Sequence, residues 1–194
     1  MGFEIIVVGA SSGGLKALQL LLADLPAEFR LPIIIVQHRG KDSDPGLCEF
    51  LAHSSKLPLS EPNDKDSILE GHVYLAPRDY HLLITDRSFA LSTDEPVAFA
   101  RPSIDLLFES TADEFGERAI GVILTGGNSD GARGLAKIKS RGGLAIVEDP
   151  EEAAVREMPL AAIKTNKVDW VVPIERIAPL LKQLGSSTVG QYAS

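Results

Sequence analysis

This chain has a single cysteine, Cys48, so no disulfide can form within it. One cysteine cannot build a thiolate zinc site either. The four histidines show no H-E-x-x-H or other close ligand spacing, so no metal site is expected. Basic runs are missing: 19 Lys and Arg stand against 27 Asp and Glu, a net charge of −8. That balance argues against nucleic acid and anionic membrane surfaces as main partners. No apolar run approaches the ~20 residues needed to span a bilayer, which argues against membrane insertion. No charged, cleavable leader precedes the first apolar segment. These absences point to a reducing cytoplasm. Cys48 falls in an apolar helical pattern and reads as a small buried residue.

What is present is an ordinary globular composition, 44% hydrophobic over 194 residues, which suits one domain. Apolar strand-like runs alternate with helical patterns. Phe3–Val8 and Pro32–Gln37 read as strands covered on both faces. Between them Leu15, Leu18, Leu21, Leu22 and Leu25 recur at helical spacing, and Pro26 marks the stop. Asp44-Pro45 reads as a cap and first turn opening a helix to about Ser54. Gly71–Ala76 is a short strand, and His81–Thr85 with Ser88–Ser92 suggests an antiparallel hairpin. Ser103 is a candidate N-cap for a helix to Phe115. Strands at 119–124, 144–147 and 168–172 then alternate with helices near 131–140, 159–165 and 173–184. The pattern predicts an α/β fold: a doubly wound three-layer α/β/α sandwich, its sheet mostly parallel with one antiparallel hairpin.

In an open sheet of this class, functional residues gather beyond the carboxyl ends of the strands. Gly9-Ala10-Ser11-Ser12-Gly13 fits the G-x-S-x-G turn that lifts a serine hydroxyl above a sheet. A Gly-rich turn after a first strand also suits phosphate, so the motif alone leaves both readings open. His38 lies just past the second strand. Asp130 closes the glycine-rich loop Thr125-Gly126-Gly127-Asn128-Ser129-Asp130-Gly131 after a later strand. A Ser, a His and an Asp on one sheet edge form the set that acyl transfer requires. Ser11 would be the nucleophile, His38 its base, and Asp130 the group that orients the imidazole. Backbone N–H groups of the two loops, at Ser12, Gly13, Gly126 and Gly127, would support the oxyanion.

Plainer roles exist for each residue taken singly: a structural histidine, or an aspartate that only caps the next helix. His53 late in a helix, His72 at a strand start and His81 at the hairpin read as structural. The acidic run from Glu148 to Glu152 reads as a solvated turn and helix start.

With these segments in place, the chain resembles the catalytic domain of the chemotaxis receptor methylesterases, the CheB family. The resemblance rests on Gly9–Gly14, Val36–His38, Gly71–Pro77, Arg101–Phe108, Gly121–Gly126, Ser129–Ala132 and Met158-Pro159, in order, and covers about Ile5 to Leu184. It implies hydrolysis of glutamate methyl esters on the cytoplasmic helices of chemoreceptors, and deamidation of receptor glutamines. It implies no organic cofactor and no metal, and it gives Ser11, His38 and Asp130 the roles above. The family's usual N-terminal receiver domain is not among residues 1–194, which are expected to be one catalytic domain, either stand-alone or a fragment of a longer protein, with 185–194 a frayed tail and control left to a separate regulatory protein or domain.

One departure touches the site. Where the family usually reads T-G-M-G-x-D-G, this chain has Gly127 for the methionine and Asn128 for the following glycine. Asn is the non-glycine residue that best tolerates a left-handed backbone. Two other readings compete. The altered loop and missing receiver suit an idle scaffold that binds a receptor or kinase. The first turn also resembles a dinucleotide-binding protein, but Leu15 stands where that fold needs glycine, and no acidic residue ends the second strand.

Overall fold

The computed structural model describes residues 2–39, 46–97, 99–165 and 167–186. Nine strands and six helices follow in chain order: β1 Ile5–Ala10, α1 Gly14–Asp24, β2 Ile33–Gln37, α2 Leu47–Ala52, β3 Leu59–Ser60, β4 Val73–Leu75, β5 His81–Thr85, β6 Ser88–Ser92, α3 Ile104–Phe115, β7 Ala119–Ile123, α4 Ala132–Ser140, β8 Leu144–Glu148, α5 Glu157–Ile163, β9 Trp170–Val172 and α6 Ile174–Gly185. Seven strands form one sheet in the order β3-β4-β2-β1-β7-β8-β9, and every neighbouring pair is parallel. The hairpin is present as expected, but β5 and β6 form a separate two-stranded sheet.

The strand sequences dictate this burial. All six residues of β1 are buried, as are all five of β2 and of β7. Alternate side chains feed two cores. Ile6, Val8, Ile33, Ile35, Ile120 and Val122 pack on one side with Leu18, Leu21 and Leu22 of α1 and Ile177 and Leu181 of α6. Ile5, Val7, Ile34, Val36 and Ile123 pack on the other side with Leu107 and Phe108 of α3, Leu135 of α4 and Leu82 of the hairpin. Each such branched side chain stabilises by about 1.5–3 kcal/mol when fully buried. The result is the three-layer sandwich read from the alternation.

Several boundaries differ from the sequence reading. β1 runs on through Gly9 and Ala10, which pair with Val36 and Gln37 of β2. Asp44 and Pro45 lie outside the described residues, as do residues 187–194 of the expected tail. Cys48 is half-buried against the core's edge. The acidic run is only partly the solvated turn and helix start expected: Glu151 and Glu152 are exposed in a turn, but Glu148 belongs to β8 and is 3% exposed, and no helix starts until α5 at Glu157. No helix among the described residues is long and apolar enough to cross a membrane.

Chain direction fixes where a site can form. From β1 the order proceeds one way to β2 and β4, and from β7 the other way to β8 and β9. The helices after β1 and β7 therefore pack on opposite faces, α1 in one core and α4 in the other, and the loops leading into them meet above the carboxyl ends of the strands.

Candidate active site

Ser11 follows β1 directly. Its N–H donates to the carbonyl of Thr125 at 2.9 Å, and its carbonyl accepts from Gly14 N at 2.8 Å, so the turn is held at both ends. Gly13 takes a left-handed φ of 79°, which reverses the chain into α1. Gln37 at the end of β2 donates through Nε2 to the carbonyls of Ser11, at 2.9 Å, and His38, at 3.0 Å. That side chain locks the two strand ends together.

His38 joins the other two residues. Its Nδ1 lies 3.2 Å from Ser11 Oγ, and its Nε2 lies 2.7 Å from Asp130 Oδ2. Asp130 is 3% exposed. Its Oδ2 also accepts from Ile104 N at 2.7 Å, and its Oδ1 accepts from Ser103 Oγ at 3.0 Å and Asp105 N at 2.9 Å. Burial pushes the Asp130 carboxyl up. The hydrogen bonds from His38, Asp105 N and Ile104 N, with the charge of His38, outweigh it and hold the group below its usual value. An ionised Asp130 only accepts, so His38 Nε2 carries a proton, and the lone pair of an unprotonated Nδ1 faces Ser11.

The three predicted residues thus come together in one contact chain, across 27 and 92 residues of sequence. The loops bearing them form an open rim on which Ser12, Gly13, Gly127, Asn128 and Ser129 are exposed. The N–H groups of Ser12, Gly13 and Gly127 have no acceptor among the described residues. Gly126 differs: its N–H donates to Val155 O at 3.0 Å. A Cβ there would lie 2.5 Å from Met158 Cε and 2.9 Å from Ser11 Cβ, so Gly126 lets the second loop close onto the serine. No cluster among the described residues has the groups to hold a metal ion.

The CheB methylesterase family pattern matches residues 6–181. The chain belongs to the CheB methylesterase family. A Leptospira interrogans protein named for protein-glutamate methylesterase and protein-glutamine glutaminase is 46% identical over 192 residues, covering 98% of this chain and all of that protein. Protein-glutamate methylesterase/protein-glutamine glutaminase 2 of Anaeromyxobacter dehalogenans is 40% identical over 93% of this chain, which spans about half its length, 53%. The crystal structure of the Thermotoga maritima CheB methylesterase catalytic domain superposes with a TM-score of 0.89 at 33% identity, covering 95% of this chain and all of that one. CheB membership removes the dinucleotide-binding reading.

This CheB-family site also rests on residues to which the sequence pattern gave no part in it. Ser103 accepts from Leu106 N at 3.5 Å, the N-cap expected of it, and donates to Asp130 as well. Asp130 does not cap its own helix; Gly131 occupies that position without a side-chain bond. Thr125 N donates to the buried Glu148 Oε2 at 2.7 Å, and Thr125 Oγ1 donates to Ser12 O at 2.9 Å, bracing the two loops. His81 is fully buried beside the loop before α3, where its Nδ1 accepts from Ser103 N at 3.2 Å and its Nε2 donates to Glu95 O at 3.1 Å. His72 stacks on Tyr74 at 4.5 Å, and His53 donates to Glu49 O at 2.7 Å. None of these three histidines contacts Ser11, His38 or Asp130.

Proposed function

We propose that this chain is a single catalytic domain that hydrolyses methyl esters of glutamate side chains on the cytoplasmic helices of chemoreceptors, and deamidates receptor glutamines. The observation that carries it is the unbroken contact chain Ser11 Oγ, His38 Nδ1, His38 Nε2, Asp130 Oδ2. Family membership supports the ester class of the substrate.

Ser11 Oγ attacks the ester carbonyl carbon while its proton passes to His38 Nδ1. The carbonyl electrons move onto oxygen, and the free N–H groups of Ser12, Gly13 and Gly127 are the donors available to that oxyanion. Losing one such donor typically costs about a hundred- to a thousandfold. Collapse breaks the bond to the methoxy oxygen, which takes the proton from Nδ1 and leaves as methanol. Water then attacks the glutamyl–Ser11 ester, its proton goes to Nδ1, and Ser11 departs with it. A free glutamate remains. With glutamine the leaving group is ammonia. Asp130 stays ionised throughout and steadies the imidazolium.

The open rim suits a side chain presented from a protein surface. A substrate on the cytoplasmic helices of receptors puts the proposed reaction in the cytoplasm. The test is methanol release from methyl-labelled receptor membranes, wild type beside Ser11→Ala. Release by the wild type alone is expected. Equal release by both would remove Ser11 as nucleophile, and no release from either, with both folded, would favour an idle scaffold.

A further inference from the structure

One polar group beside the reacting atoms has no role so far, the Asn128 carboxamide. Asn128 is exposed on the rim, and its Oδ1 accepts the N–H of Asp130 at 3.0 Å. That bond settles which end of the amide is oxygen, since a backbone N–H cannot donate to an NH2 group. The other end, Nδ2, is thereby turned to His38 and lies 3.4 Å from Nδ1. This is the same ring nitrogen that faces Ser11 Oγ at 3.2 Å.

Two donors thus converge on one acceptor in the resting site. Once His38 has taken the Ser11 proton, Nδ1 becomes a donor as well. Nδ2–H and Nδ1–H then face one another with no lone pair between them. That arrangement is unfavourable unless an oxygen atom enters and accepts from both. The esterase cycle supplies such an oxygen at that nitrogen twice: the alcohol oxygen as it leaves, and the water oxygen as it arrives.

We propose that Asn128 is a further catalytic residue, its Nδ2 donating to the oxygen of the departing alcohol and then to that of the attacking water. The role rests on the esterase reading above. When the C–O bond breaks, the electron pair goes to the alcohol oxygen, and Nδ2–H shares that charge until the Nδ1 proton is transferred. The donor matters most where the leaving group is a poor anion, as methoxide is. It matters least where the leaving group holds its charge unaided.

The test uses the full chain and a helical peptide bearing one glutamate γ-ester of methanol, trifluoroethanol or p-nitrophenol, with kcat/KM measured for each. That ratio reports steps up to alcohol release, so water attack does not intrude. Asn128→Gly is expected to lower the methyl ester about ten- to a hundredfold, the worth of a hydrogen bond to a charged group. The p-nitrophenyl ester should change less than about twofold on the same grounds. Asn128→Asp keeps the size and the acceptor for Asp130 N but cannot donate; it should show at least the same methyl-ester loss, and it guards against a glycine variant that fails to fold. Equal losses on all three esters, or wild-type rates on the methyl ester in either variant, would overturn the role. Receptor methyl hydrolysis measured alongside separates the two claims. Absence from the wild type sinks the esterase reading and this role with it; wild-type hydrolysis unchanged in both variants sinks only the role of Asn128.

Discussion

Asp105 and Asp130 cap each other's helix. Asp130, just before α4, accepts from Ile104 N and Asp105 N at the start of α3, at 2.7 and 2.9 Å. Asp105, in the first turn of α3, accepts through Oδ1 from Gly131 N and Gly134 N at the start of α4, at 3.0 and 2.7 Å. Each carboxylate satisfies orphan donors on the other's helix, where the dipole favours negative charge. The exchange seats Asp130, the carboxylate against His38, by backbone bonds to both of its oxygens.

Asp105→Ala leaves the buried N–H groups of Gly131 and Gly134 without acceptors. The expected loss is about 1–3 kcal/mol of stability. In a chain of this size that lowers the melting temperature by roughly 2–4 °C per kcal/mol. Thermal melts check it; a melt unchanged within a degree would remove the capping role.

Asp130→Asn acts on chemistry as well. Asn can present one oxygen only, while His38 Nε2 and Ile104 N both donate to Oδ2 now. The amide end that faces His38 then favours the ring with its proton on Nδ1, where it cannot receive the Ser11 proton. A loss on the order of ten-thousandfold in kcat is expected, as for this change in other triads. Steady-state rates on a p-nitrophenyl ester would show it, and a loss under tenfold would contradict the assigned tautomer.

Adjacent glycines should respond in opposite ways. A Cβ on Gly127 meets Ser12 Oγ at 3.6 Å and Val155 Cγ1 at 3.7 Å, which are ordinary contacts. Gly127→Ala should therefore be neutral or stabilising by up to ~1 kcal/mol, through the unfolded chain. Gly126→Ala drives a methyl into Met158 and Ser11 and should cost about 1–3 kcal/mol and most of the activity. Paired melts and rates decide; equal behaviour would refute the packing difference.

Glu148 gives a pH test. Burial pushes its carboxyl above the ordinary 4.5, against the lowering bond from Thr125 N, and Glu175 and Glu152 add to the rise. The folded chain holds this proton more tightly than the unfolded chain. Its contribution to stability is therefore full below 4.5 and falls as pH rises through the window from there to the raised value. Glu148→Gln removes that penalty while an amide oxygen can still accept from Thr125 N. The melting temperature of the variant relative to wild type should rise between pH 4 and pH 7. A difference constant across that range would refute it.

The sheet and the trio were legible because both follow local rules. Strands covered on two faces read as apolar runs; Ser11 and His38 fall just beyond two of them, and Asp130 closes the glycine-rich loop after a third. What remained hidden depends on contacts between distant segments. The cap from Asp130 reaches residues about 25 positions away. Glu148 read as solvated because its strand ends in an acidic run, and only the partner Thr125 N explains its burial. β3, at two residues, is too short to show a period. Asn128 was visible as a departure in the loop, but its bearing on His38 depends on the turn that binds Oδ1 to Asp130 N.

Ser11 and His38 directly follow β1 and β2, and Asp130 closes the loop after β7, three strands that lie side by side. Pairing of β1 with β2 alone assembles a serine and a histidine that still lack their carboxylate. On the proposed roles, Ser11 becomes a strong nucleophile only when β7 docks and the loop after it brings Asp130 from the far half of the chain. Reactivity toward a fluorophosphonate probe is thus a stopwatch for refolding, because it starts when the middle of the sheet has closed.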